Sequence, residues 1–247
     1  MDTPSNANIF VRGKTSISEK LFSKVLEYFV FCYYRLLNDS IKISQTYCHK
    51  NTAHDFEFCL KNSLVQYLQD QRNKIAFRDK SVQRTEYQLE TNKTYIQDGI
   101  ERRDMIDIYV SNLGLQSAWN SINAEDIYFA FECKRLKNNE KNAEYITDIV
   151  KFVNRDYWQT GYRFPYNGLI GFLEKGETSI NDIIEDIDTK IQNSNTIKSI
   201  LTKNNVLYDC PTVDFELCKI SKHKHNSVSL VIEVYHIFLD YSEIITD

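Results

Sequence analysis

The chain has 247 residues, enough for one large domain or one domain with a small extension, and with 42% hydrophobic and 26% charged residues it can bury a sizeable core. Three prolines and seven glycines exclude long low-complexity linkers and collagen-like repeats. A net charge of −4 excludes a global basic field but not a local basic groove, and carboxylates gathered round a metal ion would count as negative here.

Residues 1–14 read as a loose start. "SISE", Ser16 to Glu19, has capping-box form and predicts an amphipathic helix from there to about Leu37. Its run "LEYFVFCYYRLL" is too short to span a bilayer, so the helix is either buried or partner-facing, and no membrane association is expected. After a polar break, "AHDFEFCLKNSLVQYLQDQ" carries Phe56, Leu60, Leu64 and Leu68 at helical spacing. The chain is thereby divided into an N-terminal helical extension, residues 1–50, and a main domain, residues 51–247.

"KIAFRDK" and "RTEYQLE" read as strands, as does "MIDIYVSN", in which Ile106, Ile108 and Val110 alternate with Met105, Asp107 and Tyr109. In "DIYFAFECKRL", Ile127, Phe129, Phe131 and Cys133 share one face, and Tyr128, Ala130, Glu132 and Lys134 share the other. "NAEYITDIVKFVNRDYW" returns to a helical period; Tyr145, Phe152 and Tyr157 are expected in the core rather than as base-stacking platforms. "YNGLIGFLE" has the continuous apolar character of a central strand. "SINDIIEDIDTKIQNS" is a further helix, followed by two strands, "VDFELCKISKHKH" and "SVSLVIEVYHIFLDY". The pattern predicts an α/β protein with a mixed sheet flanked by helices.

The six cysteines, Cys32, Cys48, Cys59, Cys133, Cys210 and Cys218, form no CxxC pair and follow no secretory signal. They are expected as reduced thiols in a cytoplasmic protein. Cys48, His49, His54 and Cys59 are close in sequence, but their spacing matches no usual zinc pattern. P-loop, GxGxxG, GxSxG and HExxH motifs are absent, which argues against nucleotide hydrolysis at a P-loop and against a serine triad.

Chemistry concentrates where the strand ending in Glu132 and Lys134 follows the strand that carries Asp107. If the two strands pair, both carboxylates converge at a sheet edge with the lysine beside them. Two carboxylates can hold Mg²⁺, with Mn²⁺ as a substitute, and a lysine can orient the attacking water or offset developing charge. A second acidic-x-Lys triplet, Asp188 to Lys190, sits in a helical period and reads as a solvated face. Asp104 would replace Asp107 only in a shifted register.

Asp107 followed by Glu132-x-Lys134 resembles the PD-(D/E)xK nuclease superfamily, which includes restriction endonucleases and many repair nucleases. With "FAFECKRL", "EYITDIVKFVNRDYW", "NGLIGFLE" and "YHIFLDY", the chain looks like a short bacterial and phage-borne branch of restriction-endonuclease-like proteins over roughly residues 50 to 245. The motif's proline is missing before Asp107, where "RRDMID" stands, and the long Asp107–Glu132 spacing implies a decorated hairpin. The resemblance implies a restriction-endonuclease-like core and a Mg²⁺-dependent endonuclease. It implies DNA as substrate, a homodimer or a partner protein of a defence complex, and a place in anti-phage defence.

By the same resemblance Asp107, Glu132 and Glu57 are metal ligands, Lys134 is catalytic, and Asp148 and Lys151 are further candidates on the helix that follows. The tract containing Lys219, Lys222, His223, Lys224 and His225 is either a solvated hairpin tip or a set of phosphate contacts. His236 is expected as a hydrogen-bonded core histidine, while the resemblance implies a structural or substrate-side role for His236 and Asp240. The competing expectation is a catalytically silent nuclease-fold subunit that serves as a nucleic-acid-binding or assembly module.

Overall fold

In the computed structural model, which describes residues 6–51, 55–97, 99–118, 127–137, 139–155, 164–174, 179–202, 204–226 and 229–246, the chain begins with one long helix, α1 (Asn6–Asn38). It continues through β1 (Ile43–Ser44), α2 (Gln45–Asn51), α3 (Phe56–Gln69), α4 (Gln71–Phe77) and α5 (Lys80–Gln83). Then come β2 (Thr85–Gln97), β3 (Ile100–Asn112), α6 (Leu113–Ala118), β4 (Tyr128–Leu136), α7 (Asn139–Asn154), β5 (Tyr166–Leu173) and α8 (Ile180–Gln192). The last elements are β6 (Lys198–Ser199), β7 (Tyr208–Asp209), β8 (Cys218–Lys224), β9 (Val231–Asp240) and β10 (Ile245–Thr246).

The main sheet has the order β2-β3-β4-β5-β9-β8-β6, with β7 also paired to β8. β2, β3 and β4 run antiparallel, β4, β5 and β9 run parallel, and β8 returns antiparallel to β9. The predicted mixed α/β sheet is therefore present, and α6 decorates the β3–β4 connection. A small parallel sheet ties β1 to β10.

Alternation along the strands builds two cores. Phe129, Phe131 and Cys133 of β4 and Ile170 and Phe172 of β5 pack under α1 and α3, whereas Leu169 and Leu173 of β5 pack under α7 and α8. Phe22 of α1 lies 4.9 Å from the Phe129 ring, and Phe29 lies 4.7 Å from that of Phe131. The apolar run of α1 is thus filled by the protein's own core, which settles buried against partner-facing. Among the described residues no helix is long and apolar enough to cross a membrane.

Three local expectations are corrected. α1 begins at Asn6, so "SISE" lies inside the helix and does not cap it; serine is only modestly unfavourable in a helix interior. "KIAFRDK" is helix α4 and the start of α5 rather than a strand. Asp70 caps α4 through the Arg72 N–H at 2.8 Å, Lys74 is buried with its ammonium on the Thr85 carbonyl at 2.7 Å, and Ile75 is exposed. The usual hydrophobic code is inverted there. Finally, Cys48 and Cys59 are joined as a disulfide, their Cα atoms 6.6 Å apart where α2 meets α3, so only Cys32, Cys133, Cys210 and Cys218 are free thiols. That separation is within disulfide reach. His54 and Tyr157 lie outside the described residues.

Register also explains one glycine. Gly168 of β5 pairs with Phe131 of β4, and a Cβ at Gly168 would overlap the Phe131 ring. Gly168→Ala is expected to lower unfolding free energy by about 1–3 kcal/mol through overpacking. Urea denaturation checks this, and Phe131→Leu in the same background should weaken the penalty.

Candidate active site at the parting of two strands

The β3–β4 ladder runs from Ser111↔Tyr128 to Ile108↔Phe131. Beyond it β4 continues with β5 and β3 with β2. Asp107 is the first β3 residue past the last pair. Its Oδ2 accepts the Cys133 N–H at 2.8 Å, supplying an acceptor where the strand ladder has ended. Its Oδ1 accepts from Lys61 Nζ of α3 at 2.6 Å.

On β2 the ladder steps from Leu89↔Ile108 to Thr91↔Ile106, and the skipped Glu90 has a left-handed backbone, φ 52°. A non-glycine residue there is strained. Glu90 Oε1 lies 3.3 Å from Lys61 Nζ, so one ammonium bridges Glu90 and Asp107. The expected alternation is interrupted at this point: Ile106 packs with Tyr109, Tyr128 and Ala130, while Ile108 and Val110 face α1 and α3.

Lys134 emerges from β4 between the two helical layers. Its Nζ is 3.3 Å from Glu57 Oε1 of α3, 3.5 Å from Asp148 Oδ2 of α7, and 3.0 Å from the Cys133 carbonyl. Glu57 stands in the first turn of α3, which Asp55 caps through the Phe58 N–H at 2.9 Å, and its other oxygen accepts the Arg135 N–H at 3.2 Å. Lys151 Nζ lies 2.6 Å from Asp148 Oδ1. The Asp148 carboxylate is buried, and two ammonium groups at ion-pair distance offset its charge.

Glu132 is 4% exposed. Burial, then repulsion from Asp107 and Asp148, raises its carboxyl well above the usual range, and Lys151 and Lys134 do not make up the difference. Burial also raises Glu57, with Lys134 pulling the other way. Burial would lower the Lys61 and Lys134 ammonium groups, but the carboxylates outweigh it and both are raised. Both remain cations at neutral pH.

Glu57, Glu90, Asp107, Glu132 and Asp148 thus meet three ammonium groups, Lys61, Lys134 and Lys151. Oxygen donors with surplus negative charge suit a hard divalent cation. The donor chemistry fits. The positions are nonetheless those of ion pairs: among the described residues no three His, Cys, Asp or Glu groups stand where they could hold a metal.

The structure brings together Asp107, Glu132, Lys134 and Glu57, with Asp148 and Lys151 beside them. Lys61 and Glu90 escaped the sequence reading, although Lys61 follows Glu57 by one helical turn, the spacing at which two side chains share a face. Asp104 is engaged elsewhere, in an ion pair with Arg155. The Arg135 side chain pairs with Glu174 and stacks on Phe56, away from the cluster, while its amide helps hold Glu57.

The basic tract does not join this cluster, because β8 is three strands from β4 in the sheet, about 14 Å at ordinary strand spacing. Nor is it a hairpin tip, since Lys222, His223 and Lys224 belong to β8 itself. Lys219 is paired with Asp209 and Lys222 with Glu233, each at 2.6 Å, and Lys224 is exposed. His223 and His225 are buried. His236 is a fully buried core histidine, bonded to the Tyr145 hydroxyl and to Ser221 Oγ at 2.8 Å each. The Asp240 carboxylate accepts the Ser242 N–H at 2.9 Å. Asp188 is more than a solvated face: its Oδ1 accepts the Val206 and Leu207 amides at 2.9 and 2.6 Å. Comparison of the chain with family models, curated proteins and solved structures found no match.

Proposed function

We propose that the chain is a divalent-metal-dependent nuclease that hydrolyses phosphodiester bonds in DNA, built on a restriction-endonuclease-like core. The observation that carries this reading is the Lys134 ammonium, held between Glu57 and Asp148 on the strand of Glu132, where Asp107 caps the Cys133 amide. A glutamate-bearing helix, α3, precedes the strands, and α7 follows the strand with Glu132 and Lys134. The resemblance implies the same order. The choice of DNA, a homodimer or partner complex, and a role in anti-phage defence rest on that resemblance.

Glu132, Asp107 and Glu57 would hold Mg²⁺, or Mn²⁺ in its place, which when bound polarises the phosphate and lowers the pKa of the attacking water. Lys134, as an ammonium, donates hydrogen bonds to that water or to a phosphate oxygen and offsets the negative charge that develops there. Cys133 N–H and Lys61 hold the Asp107 carboxylate in place, and the Arg135 amide does the same for Glu57.

A specific observation favours a second reading, that of a silent nuclease-fold subunit serving as a nucleic-acid-binding or assembly module. The carboxylates are engaged by lysines, and no ready-made ion site is formed among the described residues. Incubation with plasmid, linear DNA, single strands and RNA in Mg²⁺ or Mn²⁺, beside Lys134→Ala, separates the two. Metal-dependent DNA cleavage that Lys134→Ala loses supports the nuclease. Binding of nucleic acid without cleavage in either metal supports the module.

A further inference from the structure

Four of the six cysteines are free thiols, and two of these, Cys210 and Cys218, face each other far from the carboxylate cluster. β7 and β8 pair as Tyr208↔Ile220 and Asp209↔Lys219, and the next step brings Cys210 opposite Cys218, with the Cys210 N–H on the Cys218 carbonyl at 3.1 Å. Directly opposed antiparallel residues have Cα atoms about 4.5–5.5 Å apart, within the range a disulfide spans.

The two sulfurs differ in setting. Cys210 opens the turn "CPTV", where its Sγ is 3.3 Å from Thr212 Oγ1. The neighbouring Cys218 thiol first, then Thr212 and the backbone of the turn, outweigh burial and bring the Cys210 thiol down to about 6. Cys218 has no comparable support: its neighbour Cys210 and burial both push its thiol up. Cys210 is 8% exposed and lines an open cavity of about 520 Å³ with Glu27, Val30, Pro211, Thr212, Val213 and Asp214. Glu27 on its rim is paired with Lys24, so burial of the sulfur rather than rim charge selects the oxidant, favouring a small one over a bulky one such as oxidised glutathione.

We propose that Cys210 is a peroxide-reactive nucleophile and Cys218 its resolving thiol, so that hydrogen peroxide, a small neutral oxidant, converts the opposed pair into a cross-strand disulfide. In the first step the Cys210 sulfur attacks a peroxide oxygen. The S–O bond forms, the O–O bond breaks, sulfur is oxidised by two electrons, and the leaving hydroxide takes a proton to become water. In the second, Cys218 gives up its thiol proton and its sulfur attacks Cys210; the S–S bond forms and the sulfenic oxygen departs as water. The site stands apart from the nuclease reading and does not depend on it.

The full chain is treated with hydrogen peroxide, its remaining thiols are alkylated, and its peptides are mapped. The Cys210–Cys218 disulfide is expected to appear at least about tenfold faster than oxidation of the buried Cys32 or Cys133, as befits a stabilised thiolate. In Cys218→Ser, oxidation is expected to stop at a sulfenic acid on Cys210 that dimedone captures, and Thr212→Val should slow the first step several-fold. Oxidised glutathione at the same concentration should react far more slowly than peroxide. Oxidation of Cys210 no faster than that of Cys32 and Cys133 in the wild-type chain would overturn the proposal, whatever the variants do. Equal rates with the two oxidants would overturn the assignment of a small neutral peroxide.

Discussion

Glu132→Gln is expected to abolish metal-dependent cleavage and, at the same time, to raise the thermal midpoint. The loss of cleavage follows from the proposed role of Glu132 and should be at least about 10²–10³-fold, the scale for removing one preorganised electrostatic group. The gain in stability follows from burial and from repulsion by Asp107 and Asp148, which leave the folded protein holding a proton that the unfolded chain releases. With the folded pKa above the unfolded one, stability falls as pH rises above the unfolded carboxylate value, about 4.3. Glutamine does not ionise and escapes that fall.

Thermal melts of both proteins from about pH 4.5 to about pH 8 should therefore diverge, with the variant increasingly the more stable. Each kcal/mol of difference corresponds to about 2–4 °C in a chain of this size. Mg²⁺ should reverse the order by stabilising only the wild type, since a ligand that binds the native state alone raises its melting temperature. A variant that melts lower than wild type at every pH would contradict the electrostatic account of Glu132. A variant that cleaves as well as wild type would contradict its catalytic role.

The second large effect is expected at Lys61, whose side chain is 5% exposed and bridges Asp107 and Glu90. Lys61→Met keeps most of the volume but leaves the Asp107 carboxylate buried beside Glu57 and Glu132 without its closest cation. Breaking such a pair from one side costs about 3–5 kcal/mol, which urea denaturation would read directly. Lys61→Met with Asp107→Leu should be more stable than Lys61→Met alone, because the stranded charge goes with the aspartate. Strictly additive losses would show that Lys61 acts through packing and not through Asp107.

Much of the fold is written locally. The helical spacing of Phe56, Leu60, Leu64 and Leu68 identifies α3, and the alternation from Ile127 to Lys134 identifies β4 and both of its faces. Such periods are visible because each element must bury one side on a single core. α4 was illegible because it buries Asn73 and Lys74 while Ile75 is exposed. The Cys48–Cys59 bond was illegible because it depends on how α2 meets α3.

Asp107, Glu132 and Lys134 could be chosen from the sequence because strand parity and strand order place them near one edge. Their surroundings could not. Lys61 and Glu90 look in the sequence like ordinary solvated charges, and Asp148 is singled out only by the resemblance. They reach the site only because β3 leaves β4 after Ile108, α3 docks on one face of the opening and α7 on the other. By itself the sequence determined which side chains could carry the chemistry, since that depends on residue type and short-range period. Tertiary structure alone decided which charges are buried together, and hence that burial and repelling neighbours push the Glu132 carboxyl upward, because desolvation and charge repulsion act through space between elements distant in the chain.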